Sequence, residues 1–216
     1  IRDSVTTAKD TALLCSELAK YKNLTPYLTC WLDTVRDGKA ELVNLNRLVR
    51  TYKGVTGMKA WGSEKAGSCI AATAEKGDMS VCVVLNGCDS QEDMNAEAKK
   101  LLNLAFDTYE IYTPELPEDM VKETVVCGGE ELSVKLAPEG LYPIVIPRGT
   151  YRMVECDFTA EEKLDAPVKN GETAGEIRYT MGGEVILEGK IVACKEVKKM
   201  NFICGIKKLV YNLLSM

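Results

Sequence analysis

The sequence predicts an α/β domain with an antiparallel sheet and helices, followed by an all-β domain and an amphipathic C-terminal helix. Two nearly continuous apolar runs and a long amphipathic segment come first, as in a sheet covered by helices. A linker with two prolines then leads to short β-rich runs with frequent glycine. The last residues carry apolar side chains at helical spacing. With 216 residues, 46% hydrophobic and 27% charged, the chain suits one large or two small globular domains.

The first domain is expected over residues 1–113. Its first helix begins where Thr6 or Thr7 can cap the opening turn. Its two strands are apolar enough to be buried on both faces, and a charged turn joins them as a hairpin. The later helix has one apolar stripe, which comprises Met94, Ala98, Leu101, Leu102, Ala105 and Tyr109. The predicted elements are helices at 7–20 and 91–110, strands at 69–74 and 80–85, and a turn at 36–38 within the mixed stretch 31–46.

The second domain is expected over residues 114–199. It begins in a linker, residues 113–118, where two prolines stand among acidic residues. Gly182-Gly183 separates two β-rich runs and predicts a hairpin turn. We expect these strands to form a sandwich-like domain of about 80 residues. The predicted strands are 121–127, 132–136, 142–146, 151–158, 176–181 and 185–194.

The tail, residues 200–216, is predicted to be an amphipathic helix. Sixteen helical residues span about 24 Å, short of the ~30 Å hydrocarbon thickness, so this helix would lie in the membrane interface rather than cross it. The alternative is a terminal helix packed on its own domain, and the pattern alone favours neither. In the first case the membrane-anchor residues are Phe202, Ile206, Lys207, Lys208, Leu209 and Leu213.

The composition excludes several functions. There is no histidine, which removes histidine general bases and every histidine-containing metal site. A net charge of −5 and only 6% aromatic residues argue against nucleic acid as a partner. The nine cysteines form no C-x-x-C pair, and several lie within apolar runs, so we interpret them as buried thiols rather than metal ligands or a disulfide framework. We therefore expect no metal site and no cofactor.

The chain shows no targeting or membrane-spanning segment. It begins at Ile1 with a polar stretch, and no run reaches the eighteen apolar residues of a membrane span. We interpret it as a processed chain or as part of a longer one.

The most specific pattern lies in residues 43–67. It runs VNLNRL at 43–48, YKGVTGMK at 52–59 and KAG at 65–67. This segment resembles the low-molecular-mass penicillin-binding proteins, the serine D-alanyl-D-alanine carboxypeptidases (peptidase S11 type), in which N-x-N-x-L leads to G-V/A-x-G-x-K-T-G and then A-G. The likeness continues downstream, through IPRG at 146–149 and LDAP at 164–167, and covers essentially the whole chain.

This resemblance implies a fold and a chemistry. Residues 1–113 would be the second half of a transpeptidase/β-lactamase-like domain. In the family, the serine of S-x-x-K attacks the terminal D-Ala–D-Ala bond, S-x-N supports proton transfer, and K-T-G on an edge strand holds the substrate carboxylate. None of these steps requires histidine.

The chain departs from the family in having no S-x-x-K. Ser16, for example, precedes Lys20 by one residue too many. The family places S-x-x-K and S-x-N upstream of the region that corresponds to Thr7. We therefore interpret the 216 residues as a C-terminal portion that contains no nucleophile.

The second departure is Lys59-Ala60-Trp61 at the K-T-G position. Lys59 would bind a substrate carboxylate, although most lysines are simply solvated. Ala60 lacks the hydroxyl of the motif, and Trp61 replaces a glycine and should project to the same side as Lys59. The indole would then obstruct binding of the family's substrate or stack on a different substrate. The alternative is that the indole only packs against neighbouring residues. A bulge at Gly62 and Ser63 would partly compensate.

The resemblance implies a D-alanyl-D-alanine carboxypeptidase-like protein of peptidoglycan maturation, truncated and impaired at the K-T-G position. The alternative is a non-catalytic homologue that binds peptidoglycan or a partner protein. The implied partners are the stem peptide, β-lactams if the whole site is intact, and the membrane surface. We expect the protein at the outer face of the cytoplasmic membrane, with a signal peptide on the missing N-terminal part. If the 216 residues stand alone, an exposed apolar patch should be covered by a homodimer contact or a separate N-terminal segment.

Overall fold

The computed structural model describes residues 5–118, 120 and 122–202. The chain divides into two compact units, residues 1–111 and 112–216, and the predicted boundary at 113–114 lies two residues further along. The helices are α1 (Ala8–Ala19), α2 (Thr25–Leu28), α3 (Leu48–Thr51) and α4 (Gln91–Thr108). The strands are β1 (Leu32–Val35), β2 (Ala40–Val43), β3 (Val55–Ser63), β4 (Gly67–Lys76), β5 (Met79–Cys88), β6 (Tyr109–Tyr112), β7 (Glu123–Cys127), β8 (Ser133–Glu139), β9 (Ile144–Pro147), β10 (Val154–Ala160), β11 (Lys163–Asp165), β12 (Thr173–Met181) and β13 (Glu184–Ala193).

A three-stranded antiparallel sheet, β3-β4-β5, forms the centre of the first unit. The middle strand β4 is buried on both faces from Cys69 to Ala74, as its continuous apolar sequence predicts. Helix α4 packs on one face, where Met94, Ala98 and Leu102 join the strand residues in one buried cluster. Helix α1 lies on the other face, where Cys15 packs with Ala71.

Two details of these elements correct the sequence analysis. β5 was expected to be buried on both faces, but its buried residues, Met79, Val81 and Val83, all pack with the α4 cluster, while Cys82 and Val84 remain half-buried on the α1 face. In α4 the buried stripe continues through Phe106. Leu101 is exposed, and Tyr109 lies beyond the helix in β6. The buried residues of α4 therefore recur at every fourth position, whereas the predicted stripe was broader and included residues that are exposed or outside the helix.

The predicted local signals at the start of the chain are confirmed. The hydroxyl of Thr7 accepts a hydrogen bond from the backbone N–H of Asp10 at 3.0 Å, so Thr7 caps α1. β1 and β2 form a hairpin whose turn contains Arg36, Asp37 and Gly38, all with positive φ.

The second unit is all-β, as predicted, and six of its strands form one curled sheet in the order β10-β12-β13-β8-β7-β11. β8 causes the curl, because residues 133–135 pair with β7 and residues 136–139 pair with β13. The parallel strand β11 was not predicted. Gly182 and Gly183 form the expected hairpin turn, both with positive φ. The core of the unit includes Ile177, Tyr179 and Ile191, all fully buried.

The predicted tail helix falls almost entirely outside the described residues. Ile206, Lys207, Lys208, Leu209 and Leu213 belong to the undescribed part, so the anchor stays a prediction. Phe202 is described and is 83% exposed. Within residues 5–118, 120 and 122–202, none of the helices has the length and apolar character needed to cross a bilayer.

Candidate functional site

Lys59 lies on an edge strand, as the family resemblance implies. Within the described residues, β3 pairs only with β4. Lys59 stands opposite Ala71, so its side chain leaves the sheet on the α1 face, and it is exposed. No ion pair joins it to the residues that the structure describes. The site therefore offers an unpaired ammonium group at the edge of a rigid sheet.

Ala60 and Trp61 point to opposite faces of β3. Ala60 stands opposite Ile70, is 3% exposed and belongs to the buried cluster beneath α4. Trp61 stands opposite Cys69 and packs, half-buried, against the cluster on the α1 face. The indole thus shares a face with Lys59, as strand alternation predicts, and much of its surface is used in packing.

The end of β3 differs from the sequence expectation. A bulge was expected at Gly62 and Ser63, but the register with β4 continues without a shift from Gly57 to Ser63, and the irregularity lies between Val55 and Gly57. The Ser63 hydroxyl accepts a hydrogen bond from the backbone N–H of Ala66 at 3.1 Å. Ser63 therefore helps to form the β3–β4 turn.

The two asparagines of the N-x-N pattern hold the segment that precedes β3. The Asn44 amide donates to the carbonyl of Cys30 at 3.0 Å, and its oxygen accepts from the N–H of Asn46 at 2.9 Å. Asn46 is fully buried, and its oxygen accepts from the N–H of Leu48 at 3.1 Å. Both residues thus bond backbone groups of this segment or beside it.

A pair of thiols, one buried and one half-buried, lies on the α1 face of the sheet. Cys15 of α1 and Cys82 of β5 pack in the same cluster as Trp61. Burial, and to a smaller extent the neighbouring Cys15, raises the pKa of the Cys82 thiol to about 12. Burial also raises the pKa of Cys15. Both thiols are therefore neutral at physiological pH and act as packing groups.

The chemistry available at this edge is binding of an anion. Lys59 can pair with a carboxylate, and an edge strand can offer backbone groups to an extended peptide. The 216 residues contain no S-x-x-K, so they do not supply the serine that acyl transfer requires. Among the described residues, no three cysteine, aspartate or glutamate side chains are grouped so that they could hold a metal ion.

The first unit contains a cleft of about 510 Å³ that the sequence did not predict. It lies between the end of β2, helix α3 and the start of α4. The guanidinium of Arg50 stacks on the Trp31 ring at 5.0 Å from the ring centre. The two arginines that follow Asn46 with a spacing of three were the available signal, because this spacing places them on one side of a helix. The lining residues are Trp31, Val43, Asn44, Leu45, Arg47, Arg50, Thr51 and Gln91.

Two family models match the chain, one for each unit. The model for D-alanyl-D-alanine carboxypeptidase matches residues 2–89, and the model for the C-terminal domain of penicillin-binding protein 5 matches residues 106–199. Together they cover most of both units.

Individual relatives agree with the family models. The chain is 30% identical over 205 residues to the D-alanyl-D-alanine carboxypeptidase DacF of Bacillus subtilis (strain 168), covering 93% of this chain and 53% of the relative. It is 29% identical over 161 residues to DacC of Escherichia coli (strain K12), covering 74% of this chain and 40% of that protein. The chain thus spans about half the length, or less, of the curated relatives it matches.

Solved structures show the same fold. The structure of penicillin-binding protein 5 from Haemophilus influenzae superimposes with a TM-score of 0.73 at 23% identity. The superposition covers 90% of this chain and 57% of that protein.

Proposed function

The chain belongs to the D-alanyl-D-alanine carboxypeptidase family of penicillin-binding proteins, and on that premise we propose that it is the C-terminal portion of a protein that acts on peptidoglycan stem peptides. The proposed reaction is the family's acyl-enzyme hydrolysis, in which the terminal D-Ala is released. The serine and its base would come from sequence outside these 216 residues. Lys59 would contribute the cationic group that holds the substrate carboxylate.

The position of Lys59 is the observation that carries this proposal. It occupies the lysine position of the matched motif on an edge strand, its side chain is exposed, and the described residues provide no competing carboxylate. The preceding backbone is held by Asn46, whose amide donates to the carbonyl of Gly57 at 3.4 Å. A lysine on such a support loses little entropy beyond its own side chain when it binds a carboxylate.

Ala60 and Trp61 set the expected activity below that of a K-T-G enzyme. Ala60 provides no hydroxyl, and its methyl group is buried beneath α4. Trp61 adds an indole on the face of Lys59, where the motif has glycine, but the ring is held against the α1 cluster. We propose that Trp61 narrows the approach to Lys59, and that Gly62 and Ser63 complete the rim of the site.

A second candidate function is non-catalytic binding of peptidoglycan or of a partner protein. The Lys-Ala-Trp sequence favours it, because the hydroxyl and the glycine of the motif are both replaced while the lysine is kept. Such a protein would use Lys59 to bind a carboxylate without turnover. The curled sheet of the second unit would then serve as a spacer or docking module.

Both candidates place the protein at the outer face of the cytoplasmic membrane. The proposed anchor is the tail with Phe202 at its start. Deleting residues 201–216 should release the chain from vesicles of anionic lipid, and unchanged binding would count against the anchor.

Acylation by fluorescent penicillin tests the enzyme proposal on the full-length protein. We expect labelling of the wild type, a loss of about tenfold or more in Lys59→Ala, and no change in Lys65→Ala, a control that removes an exposed lysine from the adjacent turn. Ala60→Thr together with Trp61→Gly should raise the labelling rate. A full-length wild type that stays unlabelled while it binds isolated peptidoglycan would favour the non-catalytic candidate.

A further inference from the structure

The cleft beside α3 combines cationic and apolar groups without an acidic one. Its lining contains Arg47 and Arg50, the amides of Asn44 and Gln91, and no aspartate or glutamate. Its volume of about 510 Å³ falls within the ~300–1,000 Å³ range of small-molecule sites. A cleft with this lining suits a small anion that also carries an apolar part.

The fold holds the two arginines in position. Arg47 and Arg50 are three positions apart at α3, so they lie on the same side of that helical turn. Leu48, between them, is 1% exposed and fixes the turn to the core. Stacking on Trp31 restricts the Arg50 guanidinium and leaves the donors at its edge available.

The indole itself is fixed through the backbone. The N–H of Asn44 donates to the carbonyl of Trp31 at 2.9 Å, and the Asn44 amide donates to Cys30. Asn46 bonds the N–H of Leu48 and so holds the start of α3. The N-x-N pattern therefore places the indole and the arginine pair beside each other before any ligand arrives, which lowers the cost of binding.

The donors of the two arginines are not used by carboxylates of the described residues. Arg178 in the second unit shows the contrast, because it pairs with Glu176 at 2.8 Å and Glu188 at 3.2 Å. Arg47 and Arg50 take part in none of the ion pairs formed within residues 5–118, 120 and 122–202. Two neighbouring guanidinium groups without counter-charges attract an external anion.

We propose that this cleft is a binding site for a carboxylate-bearing sugar, with the carboxylate between Arg47 and Arg50 and the ring against Trp31 and Val43. An arginine pair matches the planar, bidentate geometry of a carboxylate, and the indole and aliphatic groups match the apolar side of a sugar ring. The choice of a sugar acid rests on the proposed action on peptidoglycan, and it implies muramic acid from which the stem peptide has been removed, because the peptide is otherwise joined to this carboxylate as an amide.

Isothermal titration calorimetry of the 216-residue chain tests the site with three probes. N-acetylmuramic acid carries both the ring and a carboxylate, N-acetylglucosamine lacks the carboxylate, and acetate lacks the ring. We expect N-acetylmuramic acid to bind at least about tenfold more tightly than either fragment, and to bind more weakly as salt is added. Equal binding of the acidic and the neutral sugar, or no binding of N-acetylmuramic acid, would overturn the proposal.

Variants locate the site. Arg47→Ala and Arg50→Ala should each weaken N-acetylmuramic acid binding about tenfold or more, while Lys99→Ala, which removes an exposed positive charge from α4, should not. Arg50→Lys keeps the charge but loses the planar fork, so it should also weaken binding. Circular dichroism checks that each variant is folded. If Arg50→Ala does not fold, Arg47→Ala provides the test, because the Arg47 side chain is exposed. Unchanged affinity in Arg47→Ala would place the sugar elsewhere and reject the proposal.

The result is separable from the enzyme proposal. Penicillin labelling depends on Lys59 and on the serine of the full-length protein, whereas N-acetylmuramic acid binding depends on Arg47 and Arg50. Binding without labelling would support the cleft and contradict the enzyme. Penicillin labelling without N-acetylmuramic acid binding would contradict only the proposed sugar site and not the enzyme proposal.

Discussion

Asn46 connects the backbone at Leu48 with the backbone at Gly57, nine residues further along the chain. Its amide donates to the carbonyl of Gly57 at 3.4 Å, and its oxygen accepts from the N–H of Leu48 at 3.1 Å. One fully buried side chain therefore holds both the start of α3, which carries the arginine pair, and the part of β3 that leads to Lys59.

Asn46→Ala should lower the free energy of unfolding by about 2–4 kcal/mol, because it leaves a buried N–H and a buried carbonyl without their partner. Urea denaturation followed by circular dichroism measures the change. Asn103→Ala is the matched control, since the Asn103 amide lies in an exposed hydrogen bond with the Tyr52 hydroxyl at 2.9 Å. It should change stability by less than about 0.5 kcal/mol. Equal losses in the two variants would contradict the bridging role of Asn46.

The buried thiols should resist alkylation in the folded protein. At pH 8, iodoacetamide should modify the exposed Cys30, Cys127 and Cys194 at least about a hundredfold faster than Cys82, whose pKa is raised to about 12. Peptide mapping by mass spectrometry gives the rate at each position. In denaturant all these cysteines should react at similar rates. Rapid native modification of Cys82 would show that the α1 face is open.

Stability should fall with alkaline pH, in part through Cys82. The thiol pKa is 9.0 without burial and about 12 in the folded state, so between these values the unfolded chain binds fewer protons than the folded one. Because of this difference, the free energy of unfolding decreases as pH rises above about 9. The decrease should be smaller in Cys82→Ala than in the wild type when urea denaturation is compared across that range. Parallel pH profiles would argue that Cys82 ionises freely.

Gly175 is required by the close approach of β10 and β12. A Cβ atom at this position would lie 2.1 Å from the backbone oxygen of Thr159 and 2.8 Å from the Cα of Ala160. Gly175→Ala should therefore cost about 3 kcal/mol or more, because backbone atoms cannot move aside without disturbing the sheet. Thermal melting followed by circular dichroism detects this loss.

Gly183→Asn serves as the control for this substitution. Gly183 lies in a hairpin turn at φ +85°, and no atom lies within 4 Å of the position that a Cβ atom would occupy there. Asparagine tolerates that conformation, so the change should cost less than about 1 kcal/mol. A Gly175→Ala variant as stable as this control would mean that the strands separate easily.

Local patterns predicted the elements whose structure depends on neighbouring residues. The Thr7 cap, the turn at Gly38 and the Gly182-Gly183 hairpin all follow from side-chain or backbone preferences that act within a few positions. The family resemblance of the motif that contains Lys59 predicted that this residue lies on an edge strand, and β3 is such a strand among the described residues.

Features that depend on distant residues were missed or wrong. The exposure of Leu101 and the burial of Phe106 depend on where α4 meets the sheet. The curl of the second unit depends on β8 changing partners. Trp31 and Arg50 meet across nineteen positions, a distance at which no periodicity connects them.

The side of β3 that pairs with no strand of the described residues also matters for how copies of the protein behave in concentrated solution. A strand with free N–H and C=O groups is a template on which another molecule can add a strand, and such addition leads to aggregation. Charged residues on an edge strand oppose this association, because pairing the edge strands of two copies would bring like charges together. Lys59 thus has a second consequence for the protein: the side chain proposed to bind substrate also protects solubility, and its replacement by an apolar residue would remove both.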